Sequence, residues 1–381
     1  MNLSPSNKAS VQIETGSVSF FCLLLVTVMF VLAFVPVFAT GVYHESPMLV
    51  PYAGNQDSGQ ENTPSAPPSV PVFAPSSVMI KPNTTANTVV FDKGDRTKVD
   101  SQFAVLLDAQ TGEILAGKQS NVRFSPASMT KVMTLIVACE NLTTDDLNRK
   151  IPFTEEIHQY VTTGNYKDME LGLPTITASG VNCIGDFYYI KDLLYGIGIK
   201  SAADCTYMVV KEICDNEDSF VELMNQKAKD MGLTQTVFNN VVGFDSVGNQ
   251  TTAEEMAVIM AYAMQSNLIA DILTPRTESY GIRAYYTDVD GVEKNYGVSF
   301  KSTFASRKDK YEKFNLTTTR LDATKTGYTN ESFIVCTATS KQTGKQYILV
   351  LGNQKTDYTN LTEKFKATMM DIEVLLNEYV K

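Results

Sequence analysis

The stretch "FSPASMTKVMTLIVACE" at residues 124–140 places Ser128 and Lys131 three positions apart and continues with an apolar run. In a helix, residues i and i+3 lie on the same face, so the hydroxyl and the ammonium group are predicted to point into one cleft. Ser125 is a candidate N-cap and Pro126 a candidate first helical residue, which places Ser128 near a helix N-terminus. The unpaired N–H groups there favour developing negative charge.

The chemistry suggested by this spacing is activation of a serine by a neutral lysine. A serine hydroxyl is a poor nucleophile unless a base lies beside it. A free lysine amine titrates near ~10.4, but desolvation disfavours its charged form, and the residues after Lys131 are apolar. Taken alone, the S-x-x-K spacing still favours a plainer interpretation, a capped helix with an exposed lysine.

Two further motifs change that balance. "KSAADCT" supplies Ser201 at the start of a predicted helix, and "DATKTGYT" supplies Lys325, Thr326 and Gly327 just before the predicted strand "SFIVCTATS". Serine-lysine, then serine, then K-T-G in this order resembles the penicillin-recognising serine enzymes. Within that group the chain is similar to the D-alanyl-D-alanine carboxypeptidases, the low-molecular-mass penicillin-binding proteins, over about residues 98 to 381.

The fold class predicted from the residues is α+β. "FAVLLDA" and "ILAGK" on either side of "QTGE" indicate an early hairpin, helical patterns dominate the middle, and "SFIVCTATS" and "YILVLGN" indicate late strands that meet the early ones in one sheet. The resemblance implies a β-lactamase/transpeptidase-like fold. Its parts are a five-stranded antiparallel sheet flanked by helices, a helical subdomain, and a cleft between them.

The resemblance also implies catalytic roles. Ser128 attacks the carbonyl of the penultimate D-alanine of a peptidoglycan stem peptide, Lys131 is the general base, and Ser201 relays a proton to the leaving amine. Water then hydrolyses the acyl-enzyme. A β-lactam antibiotic acylates Ser128 in the same way and leaves slowly.

The resemblance also assigns substrate binding to the K-T-G motif and implies the following roles. Lys325 and Thr326 hold the terminal carboxylate, for which a cation and a hydroxyl are suitable partners. Gly327 has no side chain to obstruct a substrate lying along the strand. The backbone N–H groups of Ser128 and Tyr328 form the oxyanion hole.

The second motif departs from the family pattern, which usually reads serine, a small residue, then asparagine. This chain has Ala203 at the third position, and Asp204 after it cannot donate as an amide does when ionised. Two alternatives to a carboxypeptidase therefore stay open. One is a weakly active or non-catalytic penicillin-binding scaffold; the other is a serine β-lactamase, for which Glu155 and Glu156 are the acids in the helical region.

Composition excludes other classes of protein. The net charge of -10 argues against a nucleic-acid partner. The only histidines are His44 and His158, so a histidine-based triad is not expected, and the six cysteines lack C-x-x-C spacing. We expect no metal, no cofactor, and mainly buried free thiols.

The N-terminal part is predicted to reach a membrane. Residues 18–39 form 22 uncharged residues, long enough for a spanning helix or a signal segment, after a short cytoplasmic N-terminus at 1–17. Residues 40–97 read as a Pro/Ser-rich disordered linker and 98–381 as the catalytic domain. We expect an extracytoplasmic protein, anchored in the cell membrane, or secreted if the segment is cleaved.

The last helical pattern carries an apolar stripe that is expected to pack on the sheet rather than on a membrane. Its members are Leu361, Phe365, Met369, Ile372, Leu376 and Tyr379.

Overall fold

The computed structural model describes residues 70–76, 79–94, 97–162, 184–244, 248–329, 331–352 and 360–381. The predicted N-terminus, the apolar segment at 18–39 and the linker up to residue 69 lie outside the described residues. The strands are β1 (Asn83–Val90), β2 (Phe103–Asp108), β3 (Glu113–Lys118), β4 (Lys150–Pro152), β5 (Phe187–Tyr189), β6 (Ser279–Thr287), β7 (Glu293–Lys301), β8 (Thr319–Tyr328), β9 (Ser332–Ser340) and β10 (Gln346–Gly352). The α-helices are α1 (Lys131–Asn141), α2 (Glu155–Thr162), α3 (Ile190–Tyr195), α4 (Ala203–Ile213), α5 (Glu217–Asp230), α6 (Ala253–Ala263), α7 (Asn267–Leu273), α8 (Thr303–Lys308) and α9 (Leu361–Tyr379).

The main sheet has the strand order β1-β3-β2-β10-β9-β8. Five of these strands pair antiparallel, as predicted, and β1 adds a sixth that runs parallel to β3. The predicted count of five strands is therefore one too low. Asn83–Val90 falls within the predicted linker because its residues are mostly polar, and as an edge strand it buries little of its surface. β1 lies N-terminal of residue 98, where the catalytic domain is predicted to begin.

Both faces of this sheet are covered, which explains why β2 is a continuous apolar run rather than an alternating one. Phe103, Val105 and Leu107 face the larger core, which contains α1 and α6. Ala104 and Leu106 face a second core built around α9. The predicted packing of the last helix on the sheet is confirmed.

The hairpin between β2 and β3 closes as its turn residues predict. Asp108 Oδ1 accepts hydrogen bonds from the backbone N–H groups of Gln110 (2.8 Å) and Thr111 (2.9 Å). Gly112 has φ +74°, where a Cβ would stand 2.2 Å from Lys81 O. Only glycine fits this turn without a rearrangement.

The helical region lies between β3 and β8 in the chain and includes a second sheet, ordered β4-β5-β6-β7, that was not predicted. In its long hairpin, β6 and β7 pair over nine residues each. The end of β7 leads through Ser302 into α8, beside the K-T-G strand β8. Among the described residues, no single helix has the length and apolar character to cross a membrane; one bent pair, Ala253–Ala263 with Asn267–Leu273, reaches that composition and length together.

Candidate active site

Ser128 lies in a 3₁₀ turn, Ala127–Thr130, that leads directly into α1. The predicted cap is not formed: Pro126 occupies the N-cap position, and Ser125 Oγ is buried without a hydrogen-bond partner in the described part of the chain. Ala127 has φ +48°, a left-handed conformation that costs a non-glycine residue about 1 kcal/mol. Gly243 packs closely against this turn, since a Cβ there would stand 1.9 Å from the carbonyl oxygen of Ala127.

Lys131 begins α1 and is completely buried. Its Nζ atom lies 3.2 Å from Ser128 Oγ and donates a hydrogen bond to the carbonyl oxygen of Val242 at 2.7 Å. The predicted serine–lysine pair is therefore present in the geometry that the spacing implies. The alternative, a lysine exposed to solvent, is wrong.

Burial lowers the pKa of the Lys131 amine to about 7, because the charged form loses its hydration. The carboxylate of Asp204, itself buried on α4, opposes this shift by favouring the charged amine. A lysine with a pKa near 7 is neutral in a large fraction of molecules at physiological pH. It can therefore accept the proton of the Ser128 hydroxyl.

Ser201 and Lys325 form the second pair, with Lys325 Nζ donating to Ser201 Oγ at 2.8 Å. Ser201 stands between the π-helical segment Gly196–Lys200 and α4, with φ +64°. Lys325 is buried and also donates to the carbonyl oxygen of Thr326 at 2.9 Å. Burial, followed by the positive charges of Lys131 and Arg307, depresses the pKa of Lys325 well below its ordinary value.

The K-T-G residues lie at the end of the edge strand β8, next to the Ser128 turn. A Cβ on Gly327 would stand 3.0 Å from Pro126 O and 3.1 Å from Ala127 Cβ, so a side chain there would press on that turn. Thr326 Oγ1 donates to Thr303 Oγ1 at 2.7 Å. Tyr328, the other predicted member, is 47% exposed and meets the Phe365 ring edge-on.

Arg307 on α8 is a residue of this site that the sequence patterns do not single out. It is 3% exposed, and its guanidinium donates to Gly327 O, to Phe333 O at 2.6 Å and to Ser332 Oγ at 2.9 Å. It thereby joins the end of β8 to the start of β9. Burial lowers the pKa of Arg307 to about 9, and the cation faces the ring of Phe365 at 4.5 Å from its centroid.

Glu155, Glu156 and His158 make no described contact with the two serine–lysine pairs. Glu156 pairs with Lys211 at 3.1 Å and accepts a hydrogen bond from Tyr207. Glu155 lies 4.0 Å from the half-buried His158 on α2. No described contact joins either carboxylate to Ser128 or Lys131.

The arrangement therefore consists of two serine–lysine pairs beside an edge strand. A sequence-family model described as D-alanyl-D-alanine carboxypeptidase matches residues 89–356. The chain belongs to the D-alanyl-D-alanine carboxypeptidase family.

The matches to curated members of this carboxypeptidase family cover only part of each protein. A D-alanyl-D-alanine carboxypeptidase of Bacillus subtilis is 28% identical over 252 residues, which cover 66% of this chain and 57% of that protein. One from Escherichia coli is 35% identical over 164 residues, covering 42% of this chain and 38% of that protein. The chain thus spans less than two thirds of the length of these curated relatives.

Solved structures show the same fold. The Streptomyces K15 DD-transpeptidase superposes with a TM-score of 0.57 at 20% identity, over 74% of this chain and 99% of its own. A D-alanyl-D-alanine carboxypeptidase of Mycobacterium tuberculosis gives a TM-score of 0.54 at 20% identity, over 77% and 95% of the two chains. The β-lactamase/transpeptidase-like fold class is confirmed.

In this chain Lys131 is buried although the second motif has Ala203 in place of the usual asparagine. Ala203 is completely buried on α4, and its methyl group cannot hydrogen-bond to Lys131. The hydrogen-bond acceptor that holds the amine here is the backbone carbonyl of Val242.

Proposed function

We propose that this protein is a serine D,D-carboxypeptidase that removes the terminal D-alanine from peptidoglycan stem peptides. The observation that carries the proposal is the separation of 3.2 Å between Ser128 Oγ and the Nζ atom of a fully buried Lys131. A hydroxyl beside a neutral amine in a water-poor site is an activated nucleophile. The family membership supplies the substrate class.

Acylation follows from this geometry. Lys131 accepts the Ser128 proton while Oγ bonds to the carbonyl carbon of the penultimate D-alanine. The resulting oxyanion is stabilised by the backbone N–H groups of Ser128 and Tyr328. The peptide C–N bond then breaks, and the leaving amine of D-alanine takes up a proton that reaches it through Ser201.

Deacylation restores the enzyme. Water attacks the ester carbon as Lys131 takes its proton, and the shortened peptide leaves as a carboxylic acid while Ser128 regains its hydrogen. A β-lactam acylates the same oxygen, but its amine stays attached to the acyl group through the opened ring, so the leaving group does not depart.

The terminal carboxylate of the substrate is held by Lys325 and Thr326. The Lys325 side chain reaches Ser201, that of Thr326 bonds to Thr303, and the guanidinium of Arg307 adds positive charge where it donates to Gly327 O. An anion in this position is attracted by these cations, and the attraction is strong because little water screens it. Binding of the carboxylate also favours the charged form of Lys325, which burial disfavours.

A weakly active penicillin-binding protein is the second candidate, and Ala203 favours it. Without an amide at that position, the acyl-enzyme could form and then turn over slowly. A β-lactamase gains no comparable support, because Glu155 and Glu156 have no described contact with the serine–lysine pair.

For localisation, we propose that residues 18–39 tether the catalytic part to the outer side of the cell membrane. The support is the length of the uncharged segment and the extracytoplasmic position of peptidoglycan. Fractionation of cells that express the full chain should place it with the membranes. Recovery of the full-length, uncleaved chain in the soluble fraction would contradict the tether.

The test of the activity uses the purified protein with labelled penicillin and, separately, with a peptide that ends in D-Ala-D-Ala. A carboxypeptidase retains the label and releases D-alanine, whereas a weakly active binding protein retains the label without release. Rapid loss of the label would indicate a β-lactamase. Ser128→Ala should abolish labelling and Ser219→Ala, in the first turn of α5, should not; labelling that survives in Ser128→Ala would refute the site.

A further inference from the structure

The loop 239–244 lies directly against the Ser128 turn and is closed by the side chain of Asn240. Asn240 Oδ1 accepts hydrogen bonds from the backbone N–H groups of Gly243 at 2.7 Å and Phe244 at 2.9 Å. Its Nδ2 group donates to Phe244 O at 3.0 Å. Asn240 is 2% exposed, so these bonds are made away from water.

Asn249 ties this loop to the turn that carries Ser128. Its Oδ1 accepts from the backbone N–H groups of Asn239 (2.6 Å) and Asn240 (3.1 Å). Its Nδ2 donates to the carbonyl oxygen of Asn240 and to Thr130 Oγ1, both at 3.1 Å. One amide that is 1% exposed therefore fixes the loop and the turn relative to each other.

The middle of the loop is held from both sides. The backbone N–H of Val241 donates to Glu217 Oε1 at 3.0 Å, and its carbonyl accepts from Thr134 Oγ1 at 2.7 Å. With Val241 fixed between α5 and α1, the next carbonyl, that of Val242, faces the Lys131 amine at 2.7 Å.

The position of this carbonyl matters because a neutral amine has a single lone pair. To accept the serine proton, that lone pair must point to Ser128 Oγ, so the N–H bonds must be directed elsewhere. An N–H donated to Val242 O fixes the rotation of the amine. The charged group that acts on Lys131 is Asp204 on α4, and Lys131 in turn acts on Lys325 of β8.

We infer that Asn240 and Asn249 are positioning residues that orient the Lys131 amine toward Ser128 by presenting the Val242 carbonyl to it. In the absence of an amide at position 203, this loop holds the general base. The inference rests on the proposed function for its catalytic meaning, whereas the effect on the lysine itself can be measured without catalysis.

The experiment compares Asn240→Ala and Asn249→Ala with a matched control, Asn225→Ala. Asn225 on α5 holds the residue just before this loop: its side chain bonds to the backbone N–H and C=O of Phe238, each at 2.8 Å, and its described hydrogen bonds do not reach the loop 239–244 or the Ser128 turn. Circular dichroism and thermal unfolding establish that each variant is folded at the assay temperature.

The first readout is titration of Lys131 in protein labelled with ¹³Cε-lysine, with the signal assigned from its absence in Lys131→Ala. Loosening the loop should admit water, and since burial is the largest cause of the depressed pKa, the titration should move upward by roughly half a unit or more. The second readout is the rate of penicillin acylation across pH. Misplacing the carbonyl should lower that rate about tenfold or more. The low-pH part of the rate profile should shift in the same direction as the pKa of Lys131.

The outcomes separate the two proposals. A displaced Lys131 titration in both loop variants, with Asn225→Ala like the wild type, supports the inference. An unchanged titration in folded Asn240→Ala and Asn249→Ala, or an equal displacement in Asn225→Ala, overturns it. A wild-type protein that is not acylated at all refutes the proposed function, while the titration still decides the positioning role.

Discussion

Gly243 packs so closely against Ala127 that a Cβ atom at residue 243 would stand 1.9 Å from the Ala127 carbonyl oxygen. The same Cβ would stand 2.9 Å from the backbone nitrogen of Ser128, and Gly243 has φ +81°. The shape of the catalytic turn and that of the loop behind it are therefore mutually dependent.

Gly243→Ala should both destabilise the protein and reduce acylation. The positive φ alone costs an alanine about 1 kcal/mol, and the contact with backbone atoms adds roughly 1–3 kcal/mol, because neither segment can move freely. Gly232→Ala is the matched control, since Gly232 has φ +74° with nothing within 4 Å of its Cβ position. Thermal unfolding and penicillin labelling should separate the two variants; equal losses in both would show that the contact with Ala127 is unimportant.

The rate of acylation should rise with pH through about 7, where Lys131 loses its proton. Below this value the amine is charged in nearly every molecule and cannot accept the serine proton, so the rate falls about tenfold for each pH unit. The measurement is the second-order rate of penicillin labelling between pH 5 and 9. A rate that is independent of pH across this window would exclude Lys131 as the general base.

The residues that attack and bind the substrate could be predicted from sequence because the motifs are local. Ser128 and Lys131 are one helical turn apart, and Lys325, Thr326 and Gly327 are consecutive. The order of the three motifs along the chain supplied the family, and through it the sheet and the cleft.

The residues that hold those groups in place were not predicted, because their contacts are distant in sequence. Lys131 and Val242 are 111 positions apart. The hydrogen bond from Lys131 to Val242 uses a backbone carbonyl, which every residue type possesses. No side-chain pattern in "NNVVGFDSVGNQ" could have indicated it.

Two parts of the fold were missed for different physical reasons. β1 is a polar edge strand, so its composition resembles that of the preceding linker. The β6–β7 hairpin did carry a signal: Ile282 and Ala284 on β6, and Val298 and Phe300 on β7, are buried at alternate positions. That alternation is the pattern of strands with one buried face.

Replacing the carboxylate partner should change substrate preference rather than abolish chemistry. Lys325→Met is expected to weaken binding of a peptide ending in D-Ala-D-Ala, because the buried cation near Ser201 is lost. Binding of the same peptide with an amide at its C-terminus should be weakened much less. The ratio of kcat/KM for the two peptides is the measurement, with Lys341→Met on the exposed turn after β9 as the control. An unchanged ratio in Lys325→Met would place the carboxylate elsewhere.

The buried amine of Lys131 is expected to lower the free energy of unfolding of the protein. Its pKa is about 7 in the folded state and about 10.5 when exposed, so the buried amine destabilises the folded state by about 5 kcal/mol below pH 7, where both states are protonated. Between pH 7 and 10.5 the folded state has lost the proton and the unfolded state retains it, and this cost decreases as the pH rises.

Lys131→Met should therefore be inactive yet more stable than the wild type at pH 6, with the difference shrinking toward pH 10. Methionine fills a similar volume with no charge to desolvate, although Val242 O loses a hydrogen-bond donor. Thermal unfolding of both proteins at several pH values measures this contribution together with its coupling to Asp204 and Lys325, because the titrating groups that do not interact with Lys131 cancel in the difference. A stability difference that stays constant from pH 6 to 10 would show that Lys131 titrates alike in the folded and unfolded states, and would remove the basis for its role as a neutral base.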